Sequence, residues 1–227
     1  MILKLKALGL ALVAVLALSA VVASAAHAEE EVEKKFEAGK YNAFLTGEQI
    51  AGAGHGAELA FNIGVFGQIK CTKVSFAAIM TVATSTVTMT PTYSGCAVGT
   101  KPVTTTLNGC DYLFHGGGTV DLVCPAGQSI IVHLYANAAE HKANIPLCEY
   151  TVGPQAGLKE ITFTNTTTIS PDDVDITFNV KKIAVKRIKG AEAQCGVAAP
   201  EGTYTGTTTF RAYEDMGHTK QINLTVK

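Results

Sequence analysis

The chain has no tryptophan, 7 prolines in 227 residues, and aromatic and charged fractions of 7% and 16%. Each shortage removes a class of function. Sugar-binding faces cover apolar sugar surface with flat aromatic rings, so a ring-poor chain is a weak candidate for one. The formal charge is −1, and removing Lys4 and Lys6 with the leader described below leaves 16 basic against 19 acidic residues. No strong field for nucleic acid or an anionic membrane follows from that balance. No Cys-x-x-Cys occurs, which argues against a thioredoxin-like or zinc-ribbon role. Gly-x-Ser-x-Gly is missing, and with it the nucleophile elbow of the α/β hydrolases. Beyond the N-terminal apolar run there is no second long apolar segment, so no membrane span is expected in the mature chain.

The first apolar run is itself the clearest signal present. Met1 to Lys6 is a short basic region, Ala7 to Ala23 is apolar and small, and Ala26-His27-Ala28 has the small-x-small form that signal peptidase accepts. A signal peptide over 1–28, cut after Ala28, and a secreted protein are expected. A cut after Ala25 is the alternative, and an uncleaved run of this length is near what a membrane anchor needs. Glu29 to Lys40, EEEVEKKFEAGK, reads as a charged linker.

What remains is written in strand chemistry. Threonine fills 27 positions, and Val, Ile, Phe and Tyr dominate the apolar set; β-branched and aromatic side chains suit a pleated, half-buried surface. Alternation is plain over residues 60–65 and over Val174 to Val180 (VDITFNV). Ile183 and Val185 continue on the opposite parity, which calls for a bulge or reversal near Lys181 and Lys182. Short strands, regular turn signals and no strong helical pattern predict an all-β sandwich of about ten to twelve strands. It is expected as one domain over 41–227, with a split near 128–154 as the alternative.

All cysteines, Cys71, Cys96, Cys110, Cys124, Cys148 and Cys195, lie beyond the leader, where an even count reads as a disulfide framework. Cys71 and Cys96 are equidistant from Val82 to Ser85, and Cys110 and Cys124 are equidistant from Gly117. If each midpoint is a hairpin turn, each pair meets at the open end of its hairpin. Cys148 with Cys195 follows by elimination.

Candidate chemistry is sparse. His115-Gly116-Gly117-Gly118 matches an oxyanion-loop string, but glycines supply the positive φ of hairpin loops and a turn is the better reading. His133 and His141, with His55, His115 and His218 elsewhere, offer imidazoles for a transition metal at a spacing that specifies little. Asp172, Asp173 and Asp175 suggest a calcium loop without EF-hand spacing. Lys181, Lys182, Lys186, Arg187 and Lys189 form the one basic cluster, suited to a solvated strand face or to an anionic envelope polymer. Asp121, Glu140, Glu149 and Glu160 are the carboxylates placed for glycoside hydrolysis, with nothing selecting a pair.

The succession GQIKCTKVSF, TVTMTPTYSGC, LNGCDYLF, VDLVCPAG, CEYTV and GTYTGTTTF, spanning Gly67 to Phe210, resembles exported proteins of unknown function from high-GC Gram-positive bacteria. The resemblance implies export and a disulfide-bearing β domain, and it brings no activity or cofactor with it. The expected function is therefore a secreted or cell-surface module with a non-enzymatic binding or structural role. Its partner would be an unknown extracellular ligand or cell-envelope component, with no catalytic, metal or cofactor residue assigned. A secreted polysaccharide or ester hydrolase and an exported metal-binding protein are the alternatives.

Overall fold

The computed structural model describes residues 34–39, 43–50, 58–64, 67–81, 83–166, 171–197 and 200–227. The expected signal peptide and its cleavage site, the first residues of the linker, Tyr41 and the AGAGHG stretch with His55, a glycine-rich loop by its sequence, lie outside them.

The organising unit is a long hairpin of β4 (Gln68–Met80) and β5 (Thr86–Val98). Its register places Cys71 opposite Cys96, as the turn arithmetic requires, and the two are bonded. Toward the tip the strands part. Pairing of β4 with β5 runs no further than Ala77 opposite Thr90, and Thr86 to Met89 pair instead with β7 (Asp111–His115). Pro91 sits at the point of departure, opposite Phe76. Lacking an N–H, proline weakens a central ladder and suits a strand that is changing partners.

From this hairpin the pairing spreads both ways. On one side β4 pairs with β2 (Ala43–Ile50) and β3 (Ala60–Ile63), and both pair with β15 (Glu201–Tyr213). Next comes β13 (Asp173–Ala184) and then β12 (Ile161–Thr166). On the other side β5 leads to β6 (Lys101–Thr106), β9 (Ile130–Leu134), β10 (Cys148–Val152) and β14 (Lys186–Lys189). The chain joins β13 to β14 through Val185, so the two arms of the sheet meet again there. A second layer of β7, β8 (Thr119–Val123) and β11 (Gln155–Leu158) hangs from the first half of β5.

The fold is the expected all-β one, with antiparallel pairing throughout. Eleven strands have five or more residues, and six shorter ones bring the total among the described residues to seventeen. Strands on both sides of the expected split near 128–154 pair with one another, as in β6 with β9 and β8 with β11. Two short helices, α1 (Ala138–Lys142) and α2 (Glu192–Cys195), punctuate the loops. No helix among the described residues is long and apolar enough to cross a membrane.

Alternation fixes what faces inward. In β13 Val174, Ile176, Phe178 and Val180 are buried, and the phase then shifts to Ile183. The shift is the expected bulge: register slips between Val180 and Ile183, and Lys182 has φ 58°. The β7–β8 hairpin turns at Gly116 to Gly118 and closes through Cys110–Cys124, and Cys148–Cys195 completes the set with no cysteine left free. Complete oxidation fits an oxidising compartment.

One expectation is overturned at the N-terminus. Within the stretch read as a charged linker, Phe36–Ala38 forms a strand, β1, paired with β17 (Leu224–Val226) at the end of the chain. Phe36 is 2% exposed and packs edge-on against Phe163. Lys35 and Lys227 exchange backbone hydrogen bonds, and Lys227 Nζ reaches Glu37 at 2.7 Å. A buried phenylalanine outweighs the exposed Lys34 and Lys35 beside it, which is why composition alone misled.

Candidate functional site

Between the two layers lies a part-open cavity of about 90 Å³. Phe76, Phe114, Phe178 and Phe210 pack against one another with ring centroids 5.5 to 6.3 Å apart and fill the space at one end. Gly47 makes this possible, because a Cβ there would stand 2.6 Å from the Phe210 ring. Further along the strands the inward positions carry smaller groups, among them Val120, Val132, Val152 and Val180, and these leave the cavity open.

Its wall is apolar except at a few points. Tyr93 from β5, Tyr112 from β7 and Tyr204 from β15 all line it. Each arrives by ordinary register: Tyr93 lies opposite Val74, Tyr112 opposite Met89, and Tyr204 opposite both Val180 and Phe61. The Tyr93 and Tyr112 hydroxyls are 2.9 Å apart and hydrogen-bonded. The Tyr204 hydroxyl is buried with no hydrogen-bond partner among the described residues. Burial pushes all three phenols above their usual pKa, most strongly Tyr93 and Tyr204; Tyr112 and Tyr204 push Tyr93 further up, whereas for Tyr204 the upward push of Tyr112 is opposed by Tyr93. The hydroxyls therefore stay protonated at neutral pH.

The remaining polar groups on the wall are Thr105 and Gln155. Gln155 is already committed, accepting the Ala184 N–H at 2.9 Å and donating to the Gly153 and Ala184 carbonyls. Among the described residues, no Asp, Glu, Lys, Arg or His lines the cavity.

The residues singled out in the sequence lie elsewhere and are mostly engaged with one another. In the glycine turn, the Gly116 N–H donates to Ser85 and the Gly118 N–H to His115, so neither is aimed at an oxyanion. His115 Nε2 lies 3.1 Å from Asp121 Oδ2, and Asp121 Oδ1 accepts the Gly157 N–H at 2.6 Å. Burial pushes the Asp121 carboxyl up, but the Gly157 N–H and His115 together outweigh it and hold the group below its usual range. His133 pairs with Glu149 directly across β9 and β10, 3.0 Å apart.

His141 sits on α1, whose N-cap is Asn137, and its ring packs 4.9 Å from Tyr135. Glu140 accepts the Ala136 N–H, and Glu160 takes Asn179 and Lys181. Asp173 binds Arg211 and Gln221, Asp175 accepts from Thr209, and Asp172 is tied to Asn223 through its backbone. Burial raises the Asp173 carboxyl above its usual pKa against the pull of Arg211. No group of three or more His, Cys, Asp or Glu that could hold a metal comes together among the described residues.

In the basic cluster, Lys181 pairs with Glu160 and Arg187 donates to the Gly196 carbonyl. Lys182, Lys186 and Lys189 lie on exposed face.

Nothing local in the sequence assigns Tyr93, Tyr112 or Tyr204 a role. Compared with known proteins, the chain matches no family model, no curated protein and no solved structure.

Proposed function

We propose that this chain is an exported, non-enzymatic binding module whose ligand site is the interior cavity. The observation that carries the reading is the cavity itself, apolar over most of its wall with a few polar groups converging at one place, the usual make-up of a small-molecule site. Protein interiors pack at crystal-like density, and voids larger than a water are few. At about 24 cal/mol per Å³, a void of this size costs about 2 kcal/mol. A β domain held by three disulfides tolerates such a cost, and a ligand recovers it on binding. Export is read from the leader, and complete disulfide pairing is consistent with it.

The experiment is a thermal-shift screen of small apolar compounds on the disulfide-intact protein, run beside the cavity-filling variant Val132→Phe. A ligand at a hundred times its Kd stabilises the folded state by about 2.7 kcal/mol. The expected result is stabilisation of the parent and none of the variant. Stabilisation by no compound, with Val132→Phe more stable than the parent, would make the cavity a packing void and the module a structural one.

A further inference from the structure

Resting on that reading, we infer that the ligand is a slim, uncharged aliphatic molecule bearing one hydrogen-bond acceptor, such as an alcohol or ester carbonyl oxygen, which the Tyr204 hydroxyl and the Tyr93–Tyr112 pair receive. Donor counting leads there. A phenol has one proton. In the Tyr93–Tyr112 bond one hydroxyl donates to the other, so the proton of the accepting phenol is not used in that bond. Tyr204 has a buried hydroxyl that feels the neighbouring Tyr93 and Tyr112 phenols but completes no hydrogen bond of normal geometry among the described residues. Leaving a buried polar group unsatisfied is unfavourable, and an acceptor oxygen brought in by a ligand removes that cost.

Charge decides the rest of the head group. With no cationic side chain among the described residues of the wall, a carboxylate entering the cavity would lose its hydration and meet no counter-charge there, which is strongly unfavourable. An ammonium would likewise find no carboxylate. Shape limits the body of the ligand. A closed cavity of about 150 Å³ accepts benzene; this one encloses less, about 90 Å³, and is part-open, so a five-carbon chain enters by its end and extends through the opening. A short chain, or the end of a longer one, fits.

The test is a titration of the intact protein with pentanol, pentane and pentanoate at neutral pH, followed by NMR shifts of the Ile130 and Val132 methyl groups, with pentyl acetate added as the ester arm. Pentanol and the ester are expected to bind, pentane more weakly, and pentanoate at least about tenfold more weakly than pentanol. Tyr204→Phe is expected to weaken pentanol about three- to tenfold, the loss of one hydrogen bond, while leaving pentane unchanged. Pentanoate binding as tightly as pentanol, or Tyr204→Phe leaving pentanol unaffected, would overturn the head-group inference and leave the cavity reading standing. Shifts with none of the four compounds would overturn the cavity reading itself. Because the deleted hydroxyl completes no hydrogen bond of normal geometry among the described residues, Tyr204→Phe is expected to fold at least as well as the parent, which circular dichroism checks in the same samples.

Discussion

Tyr93 and Tyr204 line the same cavity and differ in whether their hydroxyls are satisfied, so the same substitution is expected to act in opposite directions. Tyr93→Phe removes half of a hydrogen bond and strands the Tyr112 hydroxyl, at a cost of about 1–2 kcal/mol. Tyr204→Phe removes a buried hydroxyl that completes no hydrogen bond of normal geometry among the described residues and should raise the unfolding free energy of the ligand-free protein by up to about 1 kcal/mol. Urea denaturation of the two variants checks the pair, and equal destabilisation by both would contradict it. Gly116 gives a third residue-level expectation. A Cβ there would lie 1.9 Å from the Lys34 carbonyl oxygen, so Gly116→Ala must push the N-terminal segment off the β7–β8 turn. A loss of about 2–3 kcal/mol is expected, in the range of overpacked sites, and a shift in Tm reads it. What looked like an oxyanion string is thus a glycine needed for close backbone passage. That reason could not be read locally, because Lys34 lies 82 residues away in sequence.

At the level of elements, the disulfides set a graded expectation. Loop-closure entropy gives about 3 kcal/mol for Cys110–Cys124, about 3.5 for Cys71–Cys96 and about 4 for Cys148–Cys195, from separations of 14, 25 and 47 residues. Paired serine variants are expected to lose urea resistance in that order, and a largest loss at Cys110–Cys124 would show that local geometry outweighs loop length. These pairings were legible in the sequence because a hairpin is a symmetric object: once its turn is located, the residues facing each other follow by counting. Strand alternation and the bulge at Lys182 were legible for the same reason, since both are local and have a period of two. Partner choice has no such local mark. Nothing around Pro91 says that β5 leaves β4 for β7, and nothing around Phe36 says that it pairs with Val226 at the other end of the chain. The tyrosine cluster was hidden in the same way. Tyr93 and Tyr112 each sit on an apolar strand parity that marks them as inward-facing, and only the long-range register of β5, β7 and β15 brings the hydroxyls together. The usable signal would have been a polar-tipped aromatic on an inward parity, repeated in three strands.

Over the whole molecule, these buried phenols tie stability to pH from the alkaline side. Burial raises Tyr93, Tyr112 and Tyr204 above the usual phenol value, and pushes Tyr150 up to about 12 against the opposing pull of Arg187. A phenol whose pKa is higher in the folded than in the unfolded chain keeps its proton only in the fold once the pH passes the unfolded value, about 10. Above that pH the unfolded state binds fewer protons than the native state, so stability falls as pH rises. The contribution is therefore present in full below about pH 10 and is lost progressively as the pH climbs through the folded values. Tyr150 alone accounts for about 2–3 kcal/mol of loss by pH 12; it is 2% exposed, and its hydroxyl donates to the Cys195 carbonyl. Urea midpoints should be level from about pH 7 to 9.5 and then decline, with tyrosinate absorbance appearing together with unfolding. Tyr150→Phe should lower the neutral-pH midpoint by the lost hydrogen bond and make the alkaline decline shallower. A variant that declined as steeply as the parent would place the alkaline sensitivity in the cavity phenols alone, and pentanol, by engaging the Tyr204 hydroxyl, should then shift the onset of the decline to higher pH.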